Sequence, residues 1–509
     1  MPKIMTNLRL KFVSPAITTL LLTGCMVGPK YHAPSPSATA TAPPVSYKES
    51  PTQFQDTDGW KVAQPQDAML HGKWWEIYGD AELNALEEKL NIDNQNIRQF
   101  FENFMEARTL IAQARSELYP TATVGAAYTR SRSSSNLGIS GTANPGHESS
   151  LGSLPADISW EPDLWGKIRN TIHEQQYNAQ LSAADLENEK LTEQASLAEF
   201  FFEIRGQDAL QLLLNDTVEA DKKALDLAQA RYETGIDDRI SVVEAQATLE
   251  SVQSQAINLG VARAQFEHAI AVLVGVNPSE FSIPVKPLLT NAPPLPIGMP
   301  SVLLERRPDI AGAERKLAAA NAQIGIAYAA YYPTLTLGAS GGFDSSTWKH
   351  LFDWPSRVWS IGPSASETVY DGGLRRATVN QFITTYNADV ASYRQTVLTA
   401  FQQVEDSLAS VRILSQQILK QQQAASSSEE ALKLETARYE TGVDPYLDVV
   451  TAQTTLLNNQ ETLANLHVEE MTASVQLIEA LGGGWDRSQL PTPADVSKKL
   501  DKADVAIQK

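Results

Sequence analysis

Ala230-Arg231-Tyr232-Glu233-Thr234-Gly235-Ile236-Asp237 returns later in the chain as Ala437-Arg438-Tyr439-Glu440-Thr441-Gly442-Val443-Asp444. Self-similarity over such a distance marks a duplicated structural unit rather than a short solenoid repeat. Each phrase closes a long proline-free stretch, from Gly166 to about Tyr232 and from Asp371 to about Tyr439. Each is followed by a second helical stretch, from about Ser241 to Val274 and onward to Leu481. The glycine in the middle therefore reads as a turn between two long helices. At 1.5 Å per residue, helices of this size run on the order of 100 Å.

A helix that long cannot bury its apolar stripe inside a compact domain. In the second copy Val390, Val397, Val404, Val411 and Ile418 keep a seven-residue beat, with Tyr386, Tyr393 and Leu408 at the other seam position. A sustained heptad imposes left-handed supercoiling against equally long partners.

Upstream of each long helix the order also repeats. Leu83, Leu86, Leu90, Ile97, Phe101, Phe104 and Ala107 give a helix from Ala81 to Leu118, stopped by Tyr119-Pro120. Thr121 to Arg132 and Leu151 to Trp160 read as two strands around a Gly/Ser/Asn loop. In the second copy a helix from Pro308 ends at Tyr332-Pro333. Thr334 to Phe343 and Val358 to Tyr370 are its strands. Trp348, Phe352, Trp354 and Trp359 flank that hairpin, as a membrane-interface belt or a packed loop.

Two copies thus supply four strands and two pairs of extended helices. A four-stranded sheet with open edges leaves backbone groups unsatisfied in lipid. Several protomers donating strands to one barrel would close it. The same symmetry would wrap the helices into a hollow cylinder. The fold class expected is mainly α with a β-barrel contribution.

The formal charge of −19 makes nucleic acid an improbable partner. His32, His71, His147, His173, His268, His350 and His467 are scattered, and no zinc-protease spacing, phosphate loop or nucleophile elbow occurs. The expectation is no enzyme, no cofactor and no metal site.

The N-terminus carries an address. Lys3, Arg9 and Lys11 precede an apolar run from Phe12 to Leu22, too short to span a bilayer comfortably. Leu22-Thr23-Gly24-Cys25 then resembles a bacterial lipoprotein processing box, and Cys25 is the only cysteine. Its thiol is the expected lipidation site. Met26 in place of an aspartate favours the outer membrane. The chain is expected to divide into a signal peptide (1–24), a lipid-anchored N-terminal tether (25–80), a first repeat (81–277), a Pro-rich linker (278–307), a second repeat (308–484) and a polar tail (485–509).

Several motifs together resemble one family. They are Cys25-x-Val27-Gly28-Pro29-x-Tyr31, Trp160-Glu161-x-Asp163-Leu164-Trp165-Gly166, the two Arg-Tyr-x-x-Gly phrases, Arg307-Pro308-Asp309-Ile310 with Ala313-Glu314, and Asp371-Gly372-Gly373. The chain resembles the outer membrane factors, the TolC-like exit ducts, and within them the lipoprotein (NodT/OprM-like) branch serving resistance-nodulation-division (RND) efflux pumps. The resemblance implies a homotrimer with a shared twelve-stranded barrel in outer-membrane lipid, and a periplasmic α-helical tunnel. It also implies docking to a periplasmic membrane-fusion adaptor and an inner-membrane RND-type pump. It puts both repeated turns at the periplasmic tip, so that Gly235, Ile236, Asp237, Asp238, Gly442 and Val443 are the adaptor-contact candidates. The family narrows its tip with carboxylate rings and a bulky apolar ring. Leu447 matches the apolar position. Thr451 stands where the family has an acid, which leaves Asp444 or Asp448 as the substitute. The first turn looks suited to docking and the second to gating. An exit duct for a type I secretion system and a non-conducting structural coiled-coil lipoprotein are the competing readings.

Overall fold

The computed structural model describes residues 26–36, 47–49, 72–134, 148–288, 292–293 and 304–500. Cys25, the signal segment, part of the proline-rich linker and the end of the tail lie outside these residues.

The first repeat opens with α1 (Ala81–Asp93) and α2 (Gln95–Ser116). The single helix expected here is broken at Asn94, which adopts φ −64° and ψ 126°. Its side-chain oxygen caps Ile97 N, while its amide donates to Glu193 and to the Leu273 carbonyl. An N-cap that also ties two other helices is worth more here than one more helical turn.

The strands follow as β1 (Thr121–Val124), β2 (Ala127–Arg132) and β3 (Glu148–Trp160). One expected strand is therefore two, interrupted at Gly125-Ala126, and both halves pair antiparallel with β3. Then come α3 (Lys167–Glu233) and α4 (Arg239–Leu273). The second repeat runs α5 (Pro308–Ala329), β4 (Thr334–Ser345), β5 (Arg357–Ser366), α6 (Leu374–Glu440) and α7 (Tyr446–Ala480). The last strand stops at Ser366, short of the expected Tyr370. The paired elements agree in length: α3 and α6 each have 67 residues, α4 and α7 each 35.

The sheet is four strands wide. The β1/β2 segment, β3, β4 and β5 lie in that order, all antiparallel. The outer strands keep one edge unpaired, and β2 and β5 are exposed along their whole length. The 12 residues of β4 extend about 40 Å, enough for a tilted strand to cross a bilayer core. No described helix is long and apolar enough to cross a membrane.

Aromatic side chains gather at both ends of this sheet. At the helix end, Trp160 Nε1 donates to the Leu118 carbonyl and Trp165 Nε1 to the Pro333 carbonyl. Trp165 also stacks on Tyr332 at 4.7 Å. Each tryptophan thereby pins one of the two Tyr-Pro helix stops. At the far end Trp348, Phe352, Trp354 and Trp359 are exposed, with Tyr128 stacked on Trp348. Exposure of all four fits the membrane-interface alternative.

The heptad seam of α6 is partly buried, with Tyr393, Val397, Val404, Leu408 and Ile418 inside. The largest core lies near mid-height, where Trp74, Trp75, Leu83, Phe201 and Ile478 meet.

Residues 26–36 and 47–49 form a strap along the helices. Val27 N donates to the Trp165 carbonyl, Asn170 to the Val27 carbonyl and Asn321 to the Pro29 carbonyl. Tyr31 donates to the buried Glu314 at 2.6 Å. Lower down, the Lys48 and Glu49 amides donate to Glu405, and Arg412 pairs with Glu49. Gly28 is required by contact as well as by its φ of 114°: a Cβ there would come within 2.6 Å of Gly325 Cα. The motif following Cys25 and the Ala313-Glu314 motif are thus two sides of one joint.

Candidate gate at the helical tips

Both repeated phrases form turns, and both do so the same way. Gly235 has φ 75° and Gly442 φ 78°. This left-handed region is open to glycine and costly for other residues. Backbone bonds close each turn, Ile236 N to the Arg231 carbonyl and Val443 N to the Arg438 carbonyl. Asp238 then caps α4 by accepting from Ile240 N and Ser241 N. The second copy has Pro445 at that place, so α7 starts without a side-chain cap.

Beyond the backbone the tips diverge. Arg231 crosses to the other hairpin, donating to the Glu440 carbonyl at 3.0 Å and lying over the Tyr439 ring at 4.6 Å. The Tyr439 hydroxyl donates to Asp237 Oδ2 at 2.7 Å. Ser241 adds a bond to Asp237 Oδ1, and Arg231 approaches Asp237 at 3.6 Å. Arg231, Asp237 and Tyr439 therefore latch one hairpin to the other. Tyr439 is 2% exposed and packs with Ala228, Ala245, Tyr446 and Val449.

The electrostatics follow the geometry. Partial burial opposes a charge on Asp237. The bonds from Tyr439, the Asp238 amide and Ser241, with the Arg231 charge, outweigh it and hold the carboxyl below its ordinary value. Burial first, and then the same Asp237 bond, push the Tyr439 hydroxyl up. The donor stays protonated and the acceptor charged.

At the second turn Arg438 folds back on its own hairpin. It binds Asp444 through two nitrogens, one at 2.9 Å. That pairing is the main cause of the lowered Asp444 pKa. Asp448 and Leu447 are exposed, and the exposed Thr451 donates its hydroxyl to the Leu447 carbonyl. Glu435, Asp444 and Asp448 bring carboxylate oxygens within 4.8 Å of one another. Gly235, Ile236, Gly442 and Val443 are all exposed at the extremity.

Two latch members escaped the sequence reading. Arg231 and Tyr439 both stand inside the repeated phrase, one in each copy, but a repeat shows only that a residue recurs. The signal available was the difference between the copies after the glycine.

A sheet with two open edges, joined to paired helices of 67 and 35 residues that end in latched turns, defines a protomer of a membrane-spanning, helix-walled duct. The chain belongs to the outer membrane efflux protein family, whose family model matches residues 87–276 and 299–483. Outer membrane protein OprJ of Pseudomonas aeruginosa is 30% identical over 488 residues, covering 94% of this chain and 96% of that one. The antibiotic efflux pump outer membrane protein ArpC of Pseudomonas putida is 28% identical over 475 residues, covering 93% and 95%. Among solved structures, the outer-membrane channel OprN superposes with a TM-score of 0.80 at 26% identity, over 91% of this chain and 100% of that one. The Vibrio cholerae outer membrane protein VceC does so at 0.73 and 28% identity, over 81% and 99%. The chain is accordingly an outer membrane component of an efflux pump, an exit duct of a Gram-negative bacterium.

Proposed function

We propose that this chain forms a homotrimeric exit duct whose periplasmic mouth is held shut by the Arg231–Asp237–Tyr439 latch. Three sheets would close edge to edge into a twelve-stranded barrel, since each protomer presents one free edge on either side. The helices would continue as the tunnel. Cargo would pass without chemistry, driven by an inner-membrane RND-type pump through a periplasmic adaptor. Relatives named for antibiotic and toluene efflux support small apolar and amphipathic cargo over secreted protein.

The observation that carries the gating role is the latch itself. It joins the two hairpins at their extremity, where any widening of the mouth would have to part them. Opening would separate the hairpins, break the Tyr439–Asp237 bond and widen the mouth around Leu447, Asp448 and Thr451. Ile236 and Val443, exposed and apolar beside their glycine turns, would be the ridge an adaptor covers.

Lipid anchoring at Cys25 fits the strap. Met26 is the first described residue, and it lies against Gly166, where a Cβ would meet Met26 Cγ at 2.6 Å. That is the junction of sheet and helix, level with the aromatic cluster of Trp165 and Tyr332. An acyl chain on the preceding residue would sit where a bilayer leaflet begins.

The test is conductance of the purified trimer in a planar bilayer. Tyr439→Phe is expected to raise the open conductance state's occupancy severalfold while leaving the trimer assembled. A conductance equal to the wild type would remove the latch from the gate. Deletion of the chain is expected to sensitise its host to antibiotics, dyes or solvents, and no change across such a panel would leave efflux unsupported.

A further inference from the structure

A second carboxyl lies inside the tip, and its Oδ2 is buried with no hydrogen-bond partner. It belongs to Asp221 of α3, which is 3% exposed. It stands seven residues after Leu214 and seven before Ala228, both buried seam residues of the same helix. The carboxyl therefore occupies a heptad core position, between the cluster of Leu214, Val252 and Leu457 and the cluster of Ala228, Ala245 and Val449.

The duplication shows what a satisfied polar residue looks like at this place. The counterpart of Asp221 in the second copy is Ser428, and Asn459 of α7 donates to its hydroxyl at 2.7 Å. The counterpart of Asn459 in the first copy is Val252, which is buried. The second hairpin has a matched pair where the first sets a carboxyl against a valine. On α7, the Gln453 Oε1 between Val449 and Leu457 is likewise buried without a partner.

We propose that Asp221 is a protonation switch in the tip wall: the hairpins pack while its carboxyl is neutral and loosen when it is charged. A neutral acid in an apolar seam costs little, whereas an unpaired carboxylate there is expensive. The groups that face this layer do not neutralise the charge. From α7 comes Tyr446, whose hydroxyl is raised to about 12 by burial and then by the Asp221 and Glu244 carboxylates. From α4 comes that same Glu244, which adds negative charge. The α6 side contributes Tyr439, already given to Asp237. Arg231 is engaged with Asp237 and Glu440, nearly three helical turns further along α3.

The sign follows from burial. Burial raises the Asp221 carboxyl to about 6 from 3.8. The packed tip thus holds a proton that a loosened, hydrated tip releases. Packing is favoured fully below the ordinary value and that advantage is lost as pH rises through about 6. Between these limits the loosened fraction rises on the order of tenfold per pH unit.

This inference rests on the tip being the gate, and the experiment separates the two. Open-state occupancy is measured in planar bilayers from pH 4.5 to 7 for the wild type, Asp221→Asn and Tyr439→Phe. The wild type is expected to open as pH rises, and Asp221→Asn to stay near the acid-side value throughout. Tyr439→Phe is expected to open at every pH while keeping the slope. If Tyr439→Phe opens the channel but Asp221→Asn keeps the full wild-type slope, the switch is overturned and the gate stands. If Tyr439→Phe changes nothing, the gate reading fails first. Thermal unfolding of the trimer gives a second reading: Asp221→Asn is expected to melt higher than wild type at pH 7 and equally at pH 4.5. An equal difference at both values overturns the switch.

Discussion

The two tips share a phrase and use it differently. Arg231 and Arg438 are equivalent, yet the first spans two hairpins and the second closes on its own Asp444. Tyr232 and Tyr439 are equivalent, yet the first is 43% exposed and the second 2%. Asp237 gathers Tyr439, Ser241 and Arg231, whereas its equivalent Asp444 is held chiefly by Arg438. A duplicated turn keeps its backbone because glycine and the closing amide bonds are local. It loses its symmetry in the side chains because their partners come from a hairpin packed on one side only.

The largest expected difference between the copies is at the acids. Asp237→Ala removes a hydrogen bond between the hairpins from a charged acceptor, about 1–2 kcal/mol per protomer after allowing for solvent at the tip. Single-channel recording is expected to show a many-fold higher open occupancy. The matched Asp444→Ala frees Arg438 and leaves the hairpins joined, so occupancy is expected to stay near wild type. A smaller contrast separates the tyrosines. Tyr439→Phe opens the tip, while Tyr232→Phe changes neither conductance nor melting temperature. If Tyr232→Phe acts as strongly as Tyr439→Phe, the asymmetry is not functional.

Acid should break the comparison from the other direction. The Asp237 carboxyl is held below its ordinary value, so the latch is intact at neutral pH. It weakens as pH falls through that lowered value. Conductance is expected to rise as pH is taken from 4.5 down through the acid range below the ordinary aspartate value, and Asp237→Asn should abolish the rise. The smallest effect belongs to the mouth. Asp448→Ala is expected to lower cation preference with little change in occupancy, read from reversal potentials across a salt gradient. An unchanged reversal potential would take Asp448 out of the constriction.

Much of the architecture was legible because it depends on long, periodic signals. A heptad through Val397 and Val404 and a glycine in a repeated turn each state a local requirement that nothing downstream cancels. The strands were legible between their Tyr-Pro stops. The break at Asn94 was not, because an asparagine in a helical run gives no hint that Glu193 and the Leu273 carbonyl will be waiting for its amide. The site was legible only as a place. Gly235 and Gly442 marked the tips, but the bond between Tyr439 and Asp237 depends on the stagger of two hairpins, which periodicity does not encode. Asp221 was legible in principle, as a charge seven residues from Leu214 and Ala228 in a seam, and its meaning came only with the absence of a partner.

The central claim is that the duplicated turns have divided their work differently from the docking-and-gating split the sequence suggested: the first supplies the latch's acid and arginine, and the second its tyrosine. Its most direct test is the open occupancy of Asp237→Ala and Asp444→Ala trimers, recorded side by side in planar bilayers at pH 7. The account predicts a large rise for Asp237→Ala and none for Asp444→Ala. Equal rises, or a larger one for Asp444→Ala, would contradict it.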